Sequence, residues 1–359
     1  MRAVLVGAVS LSVLTNTANA ASFTTQVFAT GAAVGGTSPD SVEFGDGSLW
    51  ISYQNGADTT GASGSSTVVR YSPSGAVLNT WSTAGNVDGL RVDPSTGLVW
   101  AMQNNDGNSA LTVINPVTNA TTAYSYGSSY TGNGNSAGRG FDDIVFRNGQ
   151  MVLSETNPSA STDPIVLRLT TGLSSPLQVA GILNSGLTGV NLATGKPGSI
   201  TITDPDSLIQ TPSGDLALTG EADQTIVFIH NPGAANQTQS FISLLGTDGK
   251  TIKGNPDDTV YPTDTQGFIY LADTGANTVY KLTATGLTPG SVYVDVGDEF
   301  GSLDLSSGIV TPIFTGVSPH GAQFVSFEAA GVPEPASVAL IMVGLFLGAG
   351  ILYRKAGQA

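Results

Sequence analysis

The sequence predicts an all-β fold of repeated small sheets, and three observations carry that reading. Only 11% of the 359 residues are charged, 46 are Gly, and Ser, Thr and Asn crowd the spaces between apolar runs. Gly and Asn supply turns and Thr suits strands, so this composition favours strand and turn over helix. Short apolar runs such as Ser48–Tyr53 are bounded by Gly and Pro, the punctuation of an antiparallel meander. The third observation is that one opening recurs along the chain.

In order, a weakly alternating stretch at 23–30 reads as a strand. Pro39-Asp40-Ser41-Val42 then opens a unit completed by 48–53, 67–71 and 76–82. Val87-Asp88-Gly89-Leu90 precedes 98–101, and Phe141-Asp142-Asp143-Ile144 precedes 150–154. Pro205-Asp206-Ser207-Leu208 precedes 216–218, Pro256-Asp257-Asp258-Thr259 precedes 268–273, and Pro319-His320-Gly321-Ala322 comes last. The anchors Asp40, Asp88, Asp142, Asp206, Asp257 and His320 are spaced by 48, 54, 64, 51 and 63 residues. A period near 50 with one meander per repeat predicts a β-propeller, whose sheets pack on one another around an axis. Six anchors give six blades. The last unit is too short for a blade, so the strand at 23–30 is expected to complete it and close the ring. Residues 291–315 hold more strands than the fifth unit needs, which leaves a count of seven open. Two connections, 127–140 and 172–203, show little strand pattern and read as long loops, where binding residues often sit.

The two ends read as addresses. Met1-Arg2, an apolar stretch over 3–14 and Ala18-Asn19-Ala20 form a secretory signal peptide over 1–20, cleaved after Ala20 with Ala18 at the other small position. At the far end Val332-Pro333-Glu334-Pro335 precedes an apolar run over 338–353 and then Arg354-Lys355. A helix over about 336–353 would span roughly 27 Å, enough for a single transmembrane helix, with the basic pair held on the cytoplasmic side. The prolines keep the collar extended outside the bilayer. Within the run, Gly344 and Gly348 form a small-x-x-x-small pair suited to helix packing. This tail, 332–359, resembles the PEP-CTERM sorting signal of Gram-negative bacteria. The resemblance implies recognition by an exosortase and cleavage near Pro333-Glu334-Pro335.

The domain between, 21–331, is acidic. The whole chain has 27 acidic against 12 basic residues, and Arg2, Arg354 and Lys355 lie in the ends. Such a surface repels nucleic acid and anionic lipid and attracts divalent cations. With no Cys, an exported domain must hold by its core, which 40% hydrophobic residues permit. The repeat itself resembles the NHL and SMP-30-like propellers over nearly the whole mature chain. That resemblance implies anchors at the entry of each innermost strand, and so a ring of Asp40, Asp88, Asp142, Asp206, Asp257 and His320 at one channel mouth. It also implies a metal in the channel and a carboxylate that opens lactone or ester bonds. Ca²⁺ suits such oxygen ligands. The competing reading is that each Asp caps a turn. The family's Glu/Asn/Asn/Asp metal set has no residue-by-residue match in this chain.

Other signals are weaker. Glu155 and Glu221 follow second strands and are candidates for a similar rim. Gly134-Asn135-Ser136-Ala137-Gly138 has the form of a nucleophile elbow but sits in a polar loop without the strand and helix that motif needs. His230 and His320 are the only histidines, which excludes a His-rich zinc site, and His230 reads as structural. Two sequons, at Asn119 and Asn236, are uninformative beside a bacterial sorting tail. Tyr124, Tyr126 and Tyr130 suggest a sugar-binding face. The sequence therefore predicts an exported, surface or matrix propeller with a non-enzymatic binding or scaffold role, possible partners being exosortase, the membrane and extracellular polysaccharide. The alternatives are a Ca²⁺-dependent hydrolase or lactonase and a carbohydrate-binding propeller.

Overall fold

The computed structural model describes residues 20–127 and 140–331. The signal segment with Ala18, the elbow-like motif, Tyr130 and the tail from Val332 to Lys355 with its transmembrane helix lie outside them. Among the described residues no helix is long and apolar enough to cross a membrane.

A first strand, β1 (Ser22–Thr30), runs into a short 3₁₀ turn, and the first blade follows: β2 (Pro39–Gly45), β3 (Ser48–Tyr53), β4 (Ser65–Tyr71) and β5 (Val77–Ala84). The second blade is β6 (Val87–Val92), β7 (Val99–Gln103), β8 (Ala110–Ile114) and β9 (Thr121–Ser125). The third is β10 (Phe141–Arg147), β11 (Gln150–Glu155), β12 (Pro164–Leu169) and β13 (Val179–Asn184). A hairpin, β14 (Gly186–Asn191) and β15 (Lys196–Thr201), precedes the fourth, β16 (Pro205–Gln210), β17 (Leu216–Gly220), β18 (Thr225–His230) and β19 (Thr238–Ser243). The rest of the chain is β20 (Pro256–Val260), β21 (Gln266–Asp273), β22 (Thr278–Thr285), β23 (Val292–Val296), β24 (Glu299–Leu303), β25 (Val310–Thr315) and β26 (Pro319–Ser326).

Among the described residues six sheets form, not seven. Their second strands are buried on both faces, as β3, β7 and β17 are at every position. This is why those runs read as continuously apolar rather than alternating. Six apolar clusters lie one between each neighbouring pair of sheets, from Trp50 and Leu90 between the first two to Tyr270 and Val42 between the last and the first. Every sheet is therefore packed on both sides, and the ring is closed within Ser22–Ser326 as a self-contained folding unit.

Closure is as expected in one respect and different in another. β1 pairs antiparallel with β22 over its whole length and completes the sixth blade, ordered β26-β21-β22-β1 from the axis outward. The run at 268–273, however, is not the second strand of the fifth blade. β20 pairs with β23, so the fifth blade is β20-β23-β24-β25, and the hairpin β21–β22 has been inserted into the sixth. The surplus strands in 291–315 are thus the fifth blade's own. The two links that cross between these blades are bonded to each other, Leu287 N–H to Thr265 O at 2.9 Å and Gly290 N–H to Pro262 O at 2.8 Å.

The expected loop at 172–203 is also largely strand. β13 completes the third blade, and the β14–β15 hairpin extends the fourth to six strands through a short parallel pairing of Val190 and Asn191 with Ser240 and Phe241. Gly186, Gly189 and Gly198 interrupt the pattern that would have revealed it, and Gly189 is required there because a Cβ would stand 2.7 Å from the Gln239 carbonyl. The pairing of Ser22 with Thr285, Thr285 with Gln266 and Gly267 with Ser326 puts the start of β1 and the end of β26 at the same end of the barrel. That end is opposite the anchors.

Candidate functional site: the acidic channel mouth

A β-bulge at the same place in every blade creates the site. The register between inner and second strands shifts between Pro39 and Val42, Val87 and Leu90, Phe141 and Ile144, Pro205 and Leu208, and Pro256 and Thr259. In the sixth blade it shifts around His320. Each anchor and the residue after it therefore oppose a single residue, which breaks the alternation of faces and re-aims the anchor. The second strand pins the bulge. Ser52 Oγ accepts the Ser41 amide at 3.0 Å, Ser154 Oγ accepts the Asp143 amide at 2.9 Å, and Asp295 Oδ1 accepts the amides of Asp257 and Asp258 at 3.2 and 2.5 Å.

All six anchors line one cavity of about 310 Å³ at one end of the channel. They do not act as one uniform ring. His320 Nδ1 lies 3.2 Å from Asp257 Oδ2 and 3.8 Å from Asp40 Oδ1, so this half carries its own basic group. Asp257 also accepts from Ser207 Oγ at 3.1 Å, and Asp40 from Ser41 Oγ at 3.4 Å. In the other half Asp88, Asp142 and Asp206 each bring a carboxylate oxygen within 4.8 Å of the other two. Gln54 Nε2 donates to Asp88 Oδ1 at 3.3 Å, but Asp142, only 3% exposed, keeps an Oδ2 with no hydrogen-bond partner among the described residues. The turn-cap reading does not account for a buried carboxylate oxygen without a donor.

Burial and mutual repulsion raise all these carboxyls. Burial first, then the Asp143 charge, pushes Asp88 up to about 7. Burial and Asp88 hold Asp142 well above the usual carboxylate range, and burial and Asp257 do the same for Asp206. Three carboxylates this close favour either shared protons or a cation. A divalent cation fits the residues present: three oxygen donors from three strands, one of them an orphaned buried oxygen, with Asp106, Asp204 and Glu221 in the surrounding wall.

Beneath the ring lies a second layer that the anchor pattern does not reveal. The Arg91 guanidinium is 2.6 Å from Asp143 Oδ2 and 3.4 Å from the Leu208 carbonyl, and Asp143 accepts the Leu208 amide at 3.0 Å. Asp258 accepts the Ala322 amide at 2.8 Å, and Glu43 the Val92 amide at 3.3 Å. The doublets Asp142-Asp143 and Asp257-Asp258 were the available signal, since a bulge exposes two consecutive residues to the channel.

The remaining candidates separate cleanly. Glu221 lines the cavity and accepts from Asn255 Nδ2 at 3.1 Å. Glu155 is buried in β11 at 2% exposure and is not part of the cavity wall. Tyr126 corrects the sugar-binding expectation: it is 3% exposed, packs on Phe141 at 4.5 Å and hydrogen-bonds Met102 Sδ, while Tyr124 is half-buried against the same core. His230 bridges Asp215 Oδ2 (2.9 Å) and Ser240 Oγ (3.0 Å), the spacing of a serine-hydrolase relay. Ser240, however, is 5% exposed in mid-strand and paired on both sides, so a substrate carbonyl has no approach, and His230 is structural as expected.

No family model and no curated protein matches this sequence. Among solved structures, the chain resembles a streptogramin B lyase at 13% identity and a TM-score of 0.46, covering 84% of this chain and 91% of that one. It resembles the periplasmic gluconolactonase of Pseudomonas aeruginosa at 15% identity and a TM-score of 0.45, with 80% and 88% covered. A gluconolactonase of Xanthomonas campestris shows 15% identity and a TM-score of 0.45, with 80% and 79% covered. The chain is a six-bladed all-β propeller among the described residues, and at these identities its likeness to the lyase and the two gluconolactonases is one of chain path alone.

Proposed function

We propose that the acidic mouth is a divalent-cation centre and that it serves hydrolysis of a lactone or ester in a small neutral or cationic molecule. The observation that carries this reading is the convergence of Asp88, Asp142 and Asp206 within 4.8 Å, with the orphaned Asp142 Oδ2 among them. A cation bound there polarises a carbonyl and eases ionisation of water. Asp88, Asp142 and Asp206 hold it, and the acidic wall turns away anionic substrates. His320, whose Nδ1 faces Asp257 and Asp40, offers its other ring nitrogen for proton transfer at the same cavity. The expected non-enzymatic binding or scaffold role becomes the second reading, favoured if the cation is held without turnover.

The test is a thermal melt of residues 21–331 in EDTA and then in Ca²⁺, with hydrolysis of a panel of lactones and esters followed in parallel. A cation at a hundred times its dissociation constant adds roughly 2.7 kcal/mol, so the midpoint rises and falls back with EDTA. Superimposed curves overturn the metal centre. A shift without turnover selects the binding role. Asp88→Asn with Asp142→Asn should abolish both the shift and the activity while the fold remains.

We also propose that the chain is exported through its signal segment and sorted through the tail beginning Val332-Pro333-Glu334-Pro335, to the cell surface or extracellular matrix. Both ends of the propeller leave on the face away from the acidic mouth, so a tethered molecule presents that mouth outward, to solutes or to polysaccharide. Mass spectrometry of the mature C-terminus tests the processing, and an intact end through Tyr353 to Ala359 overturns it.

A further inference from the structure

The channel has a second mouth, and its chemistry is unlike the first. Where the inner strands end, they surround a cavity of about 920 Å³. Its wall is more apolar than polar, with Phe44, Phe146, Val260 and Phe324 set among Asn115, Gln210 and Gln323, and its rim includes Val117, which at 88% exposure is the most exposed large apolar side chain among the described residues. The floor is the Arg91 layer. Arg91 is the one basic residue lining this cavity among the described residues, and its guanidinium is paired with Asp143 and donates to the carbonyls of Leu90 and Leu208. Arg91 borders both cavities, so the ion pair divides the channel into two compartments. Beside it Glu43 faces the larger one, and the rim carboxylates Asp46 and Asp93 are engaged by Arg70 and by Ser95 and Thr96.

We propose that this apolar mouth is a second ligand site, which takes one small apolar molecule with an uncharged hydrogen-bonding end. The volume lies in the range of small-molecule pockets, and a mainly apolar wall with polar groups that fix orientation is their usual construction. A rimmed apolar surface of this kind marks a binding site more often than a free face. The charge of the ligand follows from the floor. An anion meets an Arg91 whose charge is already paired with Asp143, and Glu43 beside it, whereas a neutral head can hydrogen-bond to a Glu43 carboxyl that burial pushes up to about 7. The mouth opens on the face from which both chain ends leave, so on the tail reading it faces a bilayer, a reservoir of such molecules. The binding test is independent of that reading and of the cation centre.

The experiment titrates the neutral fluorophore N-phenyl-1-naphthylamine into residues 20–331, the self-contained ring. The expected result is saturable, blue-shifted emission with one site per chain. Thr263→Trp and Val117→Asp, both at exposed rim positions that the fold tolerates, should each weaken binding roughly ten-fold. Asp142→Asn at the opposite mouth should leave it unchanged. The anionic 1-anilinonaphthalene-8-sulfonate should bind roughly ten-fold more weakly than the neutral probe. Unsaturable emission, indifference to both rim variants, or equal affinity for the two probes overturns the proposal.

Discussion

The two mouths of one channel are built from the two ends of the same six strands, yet one is acidic and mostly polar and the other mainly apolar. The difference lies in the backbone. At the entry of each inner strand the bulge forces two consecutive residues toward the channel, and the sequence fills those places with Asp, Ser, Gly or His. At the exit the strands keep their regular pairing and present Phe44, Phe146 and Phe324. Like charges can be brought together at the first end because the blades are fastened elsewhere, by six apolar clusters between sheets. Stability is stored in the packing and spent at the mouth, as functional sites often require.

The largest expected effect concerns the partition between the mouths. Asp143→Ala removes the carboxylate in direct contact with the Arg91 guanidinium, 12% exposed, and leaves only the more distant Glu43 and Asp258 beside it. Denaturant unfolding should show a loss of about 3–5 kcal/mol. A loss under roughly 1 kcal/mol would mean that water reaches Arg91 and that the channel is not divided.

The second effect is the pH dependence in EDTA. Asp88 is raised from 3.8 to about 7 and Asp143 from 3.8 to about 6, both mainly by burial. Their folded-state values exceed the unfolded ones, so between these limits the folded chain binds more protons. Stability is then greatest near the ordinary carboxylate range and falls as pH rises towards 7. The melting midpoint should drop by several degrees, roughly 2–4 °C for each kcal/mol, from pH 5 to pH 7.5. Saturating Ca²⁺ should flatten that slope by favouring the ionised carboxylates. A slope that Ca²⁺ leaves unaltered would separate the acidic mouth from cation binding.

A third, smaller effect distinguishes function from stability. In EDTA, Asp142→Asn replaces a carboxyl whose ionisation burial and Asp88 oppose and should stabilise by on the order of 1 kcal/mol at neutral pH, read from the denaturant midpoint. In Ca²⁺ the same variant should be the less stable protein. The smallest change is expected at the other mouth. At pH 6 Glu43 is largely protonated, since burial holds it at about 7. Glu43→Gln should therefore alter stability by only about 0.5 kcal/mol, and a much larger loss would show that Glu43 is ionised and paired with Arg91.

Much of this was legible in the chain, for identifiable reasons. The anchors Asp40 to His320 were readable because a bulge needs the same short pattern in every blade, and β1 was readable as the closing strand because the last unit lacked one. The Arg91–Asp143 pair was not, since it joins residues 52 positions apart across two blades. Nor was the division of the ring, where His320 reaches Asp257 and Asp40 and leaves Asp88, Asp142 and Asp206 to one another.

The sequence by itself determined the all-β class, the repeat, the six blades' entry points and an acidic end. These are local properties, set by turn chemistry, apolar runs and spacing. Only the tertiary structure decided which strands share a blade. The runs at 266–285 and 292–315 are equally good strands, and either order satisfies the local pattern. The choice between them rests on packing, because β20 finds β23 beside it while β21 is held between β22 and β26. The same packing decided what the carboxylates became, since their separation, burial and unpaired oxygen depend on how six sheets meet at one axis.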